Sequence, residues 1–221
     1  VEFDEGNLLA LSRFPAPDRR ERGWRAAVGF NWTRYAVSGW QSRLTVGQVI
    51  RDETDGDFHL SSGLSGRSSD LLVAGQLIGP EGLAFTARSI IRDRSDLTKA
   101  EARASWITPG VAVGASYLWL DDDPRENRAD TISEWAVDGT VRLAENWLGS
   151  ANWRYDLASN ATAEAGVGLT YINECVEMEF SASRRFTSST IVTPSTDFSF
   201  TIGLRGFSGN ADGQRFTRTC K

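Results

Sequence analysis

The feature that most constrains the fold is an alternation of apolar and polar residues that repeats along almost the whole chain. About eleven segments keep a two-residue period, and short clusters of Gly, Pro, Asn and Asp separate them. This period is typical of β-strands with two chemically different faces. It predicts an all-β, antiparallel protein with no second domain. The predicted strands are Glu21–Arg34, Gly39–Arg51, Asp70–Ile78, Gly82–Arg92, Leu97–Ile107, Val111–Leu120, Thr131–Leu143, Trp147–Leu157, Ala161–Tyr171, Cys175–Phe186 and Asp197–Phe207.

The two faces of the predicted strands differ in a way that suggests lipid on one side. One face carries residues such as Trp24, Phe30 and Trp32, and the other carries residues such as Glu101 and Glu177. Trp and Tyr gather near the strand ends, and Ala and Gly fill the middle of the apolar face, as in outer-membrane barrels with aromatic girdles. A soluble sandwich also alternates, but its packed core calls for bulkier residues. The pattern therefore favours a transmembrane β-barrel over a soluble β domain.

The connections between the predicted strands alternate in length. Every second link is short, such as "TPG" and "INE", whereas the links at residues 52–69, 121–130 and 187–196 are long. Outer-membrane barrels have short periplasmic turns and longer external loops. The count of eleven is odd, so we expect further strands upstream and interpret the chain as the C-terminal part of a larger barrel. Residues 1–20 are then an external loop that can fold into the lumen, residues 21–208 the barrel strands, and residues 209–221 a periplasmic tail.

Composition and motifs argue against several functions. The net charge of −5 gives no basic footprint for nucleic acid. The single histidine, His59, lies near Asp57, Ser61 and Ser62 as in a hydrolase, but neighbouring serines in a Gly-rich loop are typically turn residues. The acidic stretch "DDDPRENRAD" lacks the glycine of a calcium-binding EF-hand loop. We therefore predict no enzymatic activity, no cofactor and no metal site.

Three blocks of sequence resemble the C-terminal barrel region of the LptD family of lipopolysaccharide-assembly proteins, also called OstA or Imp. They are "EFDEGNLLALSRFPAPDR", "YINECVEMEFSASRRF" and "DFSFTIGLRGFS". The resemblance implies a very large barrel in the cell outer membrane that inserts lipopolysaccharide (LPS) into the outer leaflet. It also implies two kinds of protein partner, the lipoprotein LptE as a plug in the lumen and the components of the periplasmic Lpt bridge. An ordinary porin or adhesin-like barrel, and a soluble carbohydrate-binding domain, remain the alternatives.

The resemblance also implies roles for particular residues. The last predicted strand would form one side of a lateral gate through which lipid leaves, and the acidic, apolar first loop would act as a plug. Arg184 falls on the apolar face of its strand, where an arginine either extends its charged end to the interface or binds an LPS phosphate bidentately. The residues assigned to the gate strand are Asp197, Phe198, Phe200, Ile202 and Leu204.

The two cysteines, Cys175 and Cys220, are both expected on the periplasmic side, where disulfides persist. Proteins of the LptD family carry cysteine at the turn where Cys175 stands, usually as an adjacent pair bonded to cysteines of the N-terminal periplasmic domain. This chain has Glu174 where the neighbouring cysteine would stand. The resemblance implies a structural disulfide at Cys175, either with Cys220 or with the N-terminal domain.

Overall fold

The computed structural model describes residues 3–14, 19–54, 56–93, 96–187 and 193–205. They form an antiparallel sheet of eleven strands whose order in space follows their order in the sequence, so each strand pairs with its neighbours along the chain. The strands are β1 (Arg25–Tyr35), β2 (Gln41–Arg51), β3 (Leu71–Ile78), β4 (Leu83–Asp93), β5 (Asp96–Ile107), β6 (Val111–Leu120), β7 (Ile132–Ala144), β8 (Trp147–Asp156), β9 (Ala161–Ile172), β10 (Val176–Arg185) and β11 (Ser195–Leu204).

The all-β, antiparallel prediction is confirmed, and the predicted strands match the observed ones to within a few residues. The largest difference is the start of β1, predicted at Glu21 and observed at Arg25. Gly23 has a φ of 73°, which breaks the extended conformation before the strand begins. Among the described residues the strand order starts with β1 and ends with β11, and no pairing between these two strands closes the sheet.

Helical structure among the described residues is limited to three short 3₁₀ turns, at Leu60–Ser62, Pro80–Gly82 and Pro124–Glu126. None of the helical turns in the described ranges is long and apolar enough to cross a membrane.

Short links between strands are built from residues that satisfy a tight turn. Between β9 and β10, the side-chain oxygen of Asn173 accepts hydrogen bonds from the backbone N–H of Cys175 at 2.9 Å and of Val176 at 2.7 Å. The Asn173 N–H in turn donates to the Val176 carbonyl at 3.0 Å. Asn side chains commonly close turns in this way. The turn fixes the register in which Glu177 pairs with Ile172.

The registers place the two predicted faces on opposite sides of the sheet. On β9 to β11 one side carries the cross-strand row Leu169, Phe180 and Phe200, and the other carries Thr170, Glu179 and Thr201. On β4 and β5, Arg88 pairs with Glu101 on the polar side. Because neighbouring residues of a strand point to opposite sides, the alternation in the sequence becomes one apolar face and one polar face.

The chain divides into two compact units. The first comprises Val1–Trp106 and Ala115–Trp135, and the second comprises Ile107–Gly114 and Ala136–Lys221. The first unit contains a buried apolar cluster made by loop residues and by the inward side chains of β2, β3 and β4. Its members are Phe3, Leu8, Val49, Phe58, Leu64, Leu72 and Ile90.

The apolar face of the sheet lies outside this cluster. In the first unit Trp24 is 84% exposed and Phe30 60%, and in the second unit Phe198 is 72% and Phe200 62% exposed. A soluble sandwich would bury this face against a second sheet. Here the side chains that are buried on β2, such as Val49 and Thr45, belong to the opposite face.

Candidate functional site: the N-terminal segment on the polar face

The N-terminal segment, residues 3–14, covers part of the polar face of the first unit. Its first turn is held by reciprocal hydrogen bonds between Asp4 and Asn7. The Asp4 side chain accepts from the Asn7 N–H at 2.9 Å, and the Asn7 side chain accepts from the Asp4 N–H at 3.0 Å. The Leu8 N–H donates to the Asp4 carbonyl at 3.0 Å, which closes the turn and presents Leu8 to the sheet.

Leu8 packs on a pair of glycines. Gly29 of β1 and Gly47 of β2 are cross-strand partners, so their backbones lie side by side on the polar face. A Cβ atom added at Gly29 would lie 2.9 Å from Leu8 Cδ2, and one added at Gly47 would lie 2.9 Å from Leu8 Cδ1. Only glycine leaves room for Leu8 to approach this closely, and Leu8 is 2% exposed.

A buried ionic cluster, formed by Arg13, Glu21 and Arg51, holds the far end of the segment. Glu21 Oε1 accepts from Arg13 Nη1 at 3.0 Å and from the Arg13 backbone N–H at 2.9 Å. Its second oxygen, Oε2, accepts from Arg51 Nε at 3.0 Å. All three side chains are at most 1% exposed. The carboxylate therefore joins the segment to the end of β2.

The two arginines also bond to the segment and to the loop that follows β2. Arg13 Nη2 donates to the Leu8 carbonyl at 2.7 Å, and Arg51 Nη1 donates to the Leu64 carbonyl at 3.0 Å. Arg51 also lies 5.1 Å from the centre of the Phe58 ring, which stacks on Phe14 at 4.8 Å. Stacked rings and a cation over a ring each add stabilisation. The ionic cluster thus links three stretches of chain that are distant in sequence.

The ionisation of Glu21 reflects this environment. Burial raises the pKa of the carboxyl, but the hydrogen bonds from Arg13 and Arg51 and the positive charge of Arg13 outweigh it, so the pKa of Glu21 lies below its usual range. The ionised carboxylate is therefore the form that this site stabilises.

A second ionic contact joins the segment to the strands. Arg88 of β4 donates to Glu5 at 2.7 Å and to Glu101 of β5 at 2.5 Å. The hydrogen bond from Arg88 is the main reason that the pKa of Glu5 is lowered, and the charge of Arg43 acts in the same direction. The first turn of the segment is therefore held by Glu5 as well as by Leu8.

Two loops of the first unit meet at Asp123. Its Oδ2 accepts from the backbone N–H of Ser61 at 3.1 Å, and its Oδ1 accepts from the Arg125 N–H at 3.0 Å. The Ser62 hydroxyl donates to the His59 carbonyl at 2.6 Å, so it serves the turn of this loop. No group of three or more His, Cys, Asp or Glu side chains in the described part of the chain is arranged to hold a metal ion.

The structure places the predicted gate residues and Arg184 in the second unit. Phe198, Phe200, Ile202 and Leu204 lie on the apolar face of β11, opposite Ala182, Phe180, Met178 and Val176 of β10. Arg184 also lies on this face, between Ala165 and Thr196 on the neighbouring strands. Its guanidinium is 5.1 Å from the centre of the Phe186 ring.

The strand β11 begins at Ser195, and its residue Asp197 lies on the polar face opposite Ser183. The Ser195 hydroxyl donates to the Asp197 carboxylate at 2.9 Å. Cys175 lies in the turn before β10 and has no free thiol. Cys220 lies outside the described residues, as do Phe207 and the predicted periplasmic tail.

Sequence reasoning did not identify the ionic cluster. The sequence pattern places Glu21 in the first strand and Arg51 at the end of the second, and it indicates no partner for either. The signal was present in the composition of the first loop, where acidic residues, Arg13 and an apolar "LLAL" stretch occur together. The pairing of Gly29 with Gly47 carried no sequence signal, because it depends on the register of β1 and β2.

Together these features define an all-β protein whose sheet exposes an apolar face and covers part of its polar face with its own N-terminal segment. A family model described as "LptD: LPS transport system D" matches residues 1–147, which is more than half of the chain. The chain belongs to the LptD family.

A relative in this family is similar over part of the chain. It is the LPS-assembly protein LptD of Vibrio cholerae serotype O1, with 31% identity over 104 residues. The aligned region covers 43% of this chain and 13% of the Vibrio protein. The chain therefore spans a small part of the length of the relative that it matches.

Proposed function

We propose that this chain is part of an outer-membrane β-barrel that transports LPS and inserts it into the outer leaflet. The observation that carries the proposal is the exposed apolar face of the sheet in a chain that belongs to the LptD family. A face with Phe30 and Phe200 exposed is unfavourable in water and favourable against lipid tails. Trp147 and Tyr171, in contact at 5.0 Å beside the short β7–β8 link, have the position of an aromatic girdle.

Depletion of the full-length protein tests this function. Cells that lose it should stop delivering new LPS to the surface, while insertion of an unrelated outer-membrane barrel continues. Normal surface LPS after depletion would contradict the proposal and would favour an ordinary porin or adhesin-like barrel. The LPS-transport function also predicts partners, namely an LptE lipoprotein and the periplasmic Lpt bridge, which should copurify with the full-length protein.

We propose that the N-terminal segment is a plug of the lumen. Its support is the packing of Leu8 on Gly29 and Gly47, because the polar face of the sheet would be the lumen face of the barrel. Deletion of residues 6–17 should make the outer membrane permeable to large antibiotics. Unchanged permeability would be inconsistent with a plug.

We propose that β11 forms one side of a lateral gate. In the described residues β11 stands at the end of the strand order, so one of its edges is open to another strand. A disulfide between a cysteine introduced near Phe200 and the opposing first strand of the full barrel should stop LPS export. Continued export with the crosslink in place would indicate a different exit.

We propose that Arg184 binds an LPS phosphate. Its support is a guanidinium on the apolar face, beside the exposed ring of Phe186 and near the end of β10. Replacement of Arg184 by Lys keeps the charge but loses the bidentate geometry, whereas Gln loses both. LPS crosslinking to this position should fall in the order Arg, Lys, Gln. Equal crosslinking in all three would contradict phosphate binding and would leave Arg184 as a side chain that extends its charged end to the interface.

We propose a structural disulfide at Cys175, with Cys220 or a cysteine of the N-terminal periplasmic domain as its partner. Its support is the absence of a free thiol at Cys175 and its place in the tight turn before β10. Non-reducing electrophoresis after thiol alkylation of the mature protein tests the bond. Complete alkylation of Cys175 without reductant would refute it.

A further inference from the structure

The buried ionic cluster of Arg13, Glu21 and Arg51 carries more positive charge than negative charge. Two guanidinium groups share one carboxylate, which leaves a net charge of +1 among side chains that are at most 1% exposed. An uncompensated charge inside a protein is costly, because the interior solvates it much less well than water does. One further negative charge beside the cluster would therefore stabilise it.

Each arginine of the cluster also has a donor atom that no described residue satisfies. Arg13 Nε and Arg51 Nη2 are buried, and neither has a hydrogen-bond partner within the described part of the chain. The other guanidinium nitrogens of both residues bond to Glu21 or to a backbone carbonyl. Buried N–H donors are nearly always paired, so an unpaired one indicates a bound water molecule or ion. The open donors indicate an acceptor that the described residues do not provide.

The described neighbours of the cluster do not supply the missing negative charge. Arg25 Nη1 donates to the Glu21 carbonyl at 3.0 Å, so a third guanidinium group lies beside the cluster. Asp52 follows Arg51 in sequence, but it is exposed to solvent, which screens its charge. The Phe58 ring, 5.1 Å from the Arg51 guanidinium, stabilises the cation but carries no net charge. The positive excess therefore stays with the cluster.

We propose that Arg13 and Arg51 bind one chloride ion beside Glu21 when the N-terminal segment attaches to the sheet. A monovalent anion brings the net charge of the cluster to zero and accepts hydrogen bonds from any direction. A water molecule would satisfy the donors but would leave the charge unchanged. Both donor atoms are closed to solvent in the attached segment, so the ion enters while the segment is detached and is enclosed on attachment.

Binding of the ion to the attached form alone makes attachment depend on the chloride concentration. A ligand that binds only one of two states shifts their ratio in proportion to its concentration once the site is nearly saturated, so a tenfold rise in chloride should increase the ratio of attached to detached segment by up to about tenfold. Screening by salt acts in the opposite direction, because it weakens partly exposed ion pairs such as Arg88 with Glu5. The sign of the effect therefore separates binding from screening.

Hydrogen–deuterium exchange of the purified full-length protein in detergent micelles measures the attachment. The probe is chloride, exchanged stepwise for gluconate at constant ionic strength, because gluconate is too large for an enclosed site. The reporters are the backbone N–H groups of Leu8 and Arg13, which are hydrogen-bonded in the attached segment. We expect them to exchange more slowly as chloride rises, by up to about tenfold for a tenfold rise. Equal exchange in chloride and in gluconate would overturn the proposal.

Arg13→Gln and Arg22→Gln form a matched pair of variants. Arg13→Gln removes one positive charge and leaves the cluster neutral, so the chloride dependence of exchange should disappear. Arg22 is exposed next to Glu21, so Arg22→Gln removes the same charge outside the cluster and should keep the wild-type dependence. A chloride effect that persists in Arg13→Gln, or that disappears in Arg22→Gln, would mean that the ion acts elsewhere and would overturn the proposal.

Bromide diffraction locates the ion without any variant. Bromide has the charge of chloride and scatters X-rays anomalously, so crystals of the wild-type full-length protein grown in sodium bromide should show an anomalous peak beside Arg13 Nε and Arg51 Nη2. This measurement also decides the case in which Arg13→Gln no longer holds the segment. An ordered cluster without a bromide peak would overturn the proposal. Neither measurement depends on LPS export, so its result is independent of the proposed transport function.

Discussion

Replacement of Glu21 by Gln should release the N-terminal segment from the sheet. The substitution keeps the shape of the side chain but removes the charge that Arg13 and Arg51 share, and both arginine side chains are 1% exposed. Breaking a buried pair by removing one partner costs about 3–5 kcal/mol, because the remaining charge is left without compensation. Here one carboxylate serves two arginines, so the upper part of that range is expected.

The cost converts into the population of the released segment. About 3–5 kcal/mol corresponds to a shift of roughly 150- to 5,000-fold in the ratio of attached to released forms. Arg13 of the segment is only 4% exposed, so release should expose the peptide bond that follows it to trypsin. In the wild type, cleavage there should be slow, and in Glu21→Gln it should be rapid while the strands stay resistant.

Glu53→Gln is the control, since Glu53 is exposed in the loop after β2. Its cleavage rate should match the wild type. If Glu21→Gln is no more sensitive to trypsin than Glu53→Gln, the ionic cluster does not hold the segment. The explanation that the Glu21 charge attaches the segment by compensating Arg13 and Arg51 is then wrong.

Three further predictions concern the same surfaces. Gly47→Ala should destabilise the attached segment by about 1–3 kcal/mol, because the added methyl group overpacks against Leu8. Gly110→Ala, which has open space around it, should leave the attachment unchanged. The same trypsin assay measures both variants. Phe200→Arg should lower the free energy of unfolding in lipid by about 2–4 kcal/mol if this face meets the bilayer midplane, whereas Ser199→Arg on the polar face should not lower it. Chemical unfolding of the two variants measures this difference. Equal losses in both would contradict the assignment of the two faces. The pKa of Glu21 is lower in the folded protein than its unfolded value of about 4.5, so the contribution of Glu21 to segment attachment is present above that value and is lost as the pH falls through the lower, folded pKa. Segment release, measured without trypsin, should therefore occur at acid pH in the wild type. In Glu21→Gln the release should depend much less on pH.

Much of the fold follows from the sequence alone. The two-residue period predicted the strands and their two faces, because successive side chains of an extended chain must point to opposite sides. Turn residues such as Asn173 marked the short links for local reasons, since an Asn side chain can close a turn without help from distant residues. The family was also identifiable, because the block at residues 2–19 is contiguous in sequence and lies within the region that the family model matches.

The attachment of the N-terminal segment was decided only by the tertiary structure. Glu21 meets Arg51 across thirty residues of sequence, and neither residue type indicates its partner. Leu8 needs two glycines that become neighbours only when β1 and β2 pair in one register. Local patterns fix which way a side chain points, whereas the identity of what it meets depends on the relative placement of segments far apart in the chain. For this protein the sequence determined an apolar face and a polar face, and the tertiary structure decided which part of the polar face the chain covers itself.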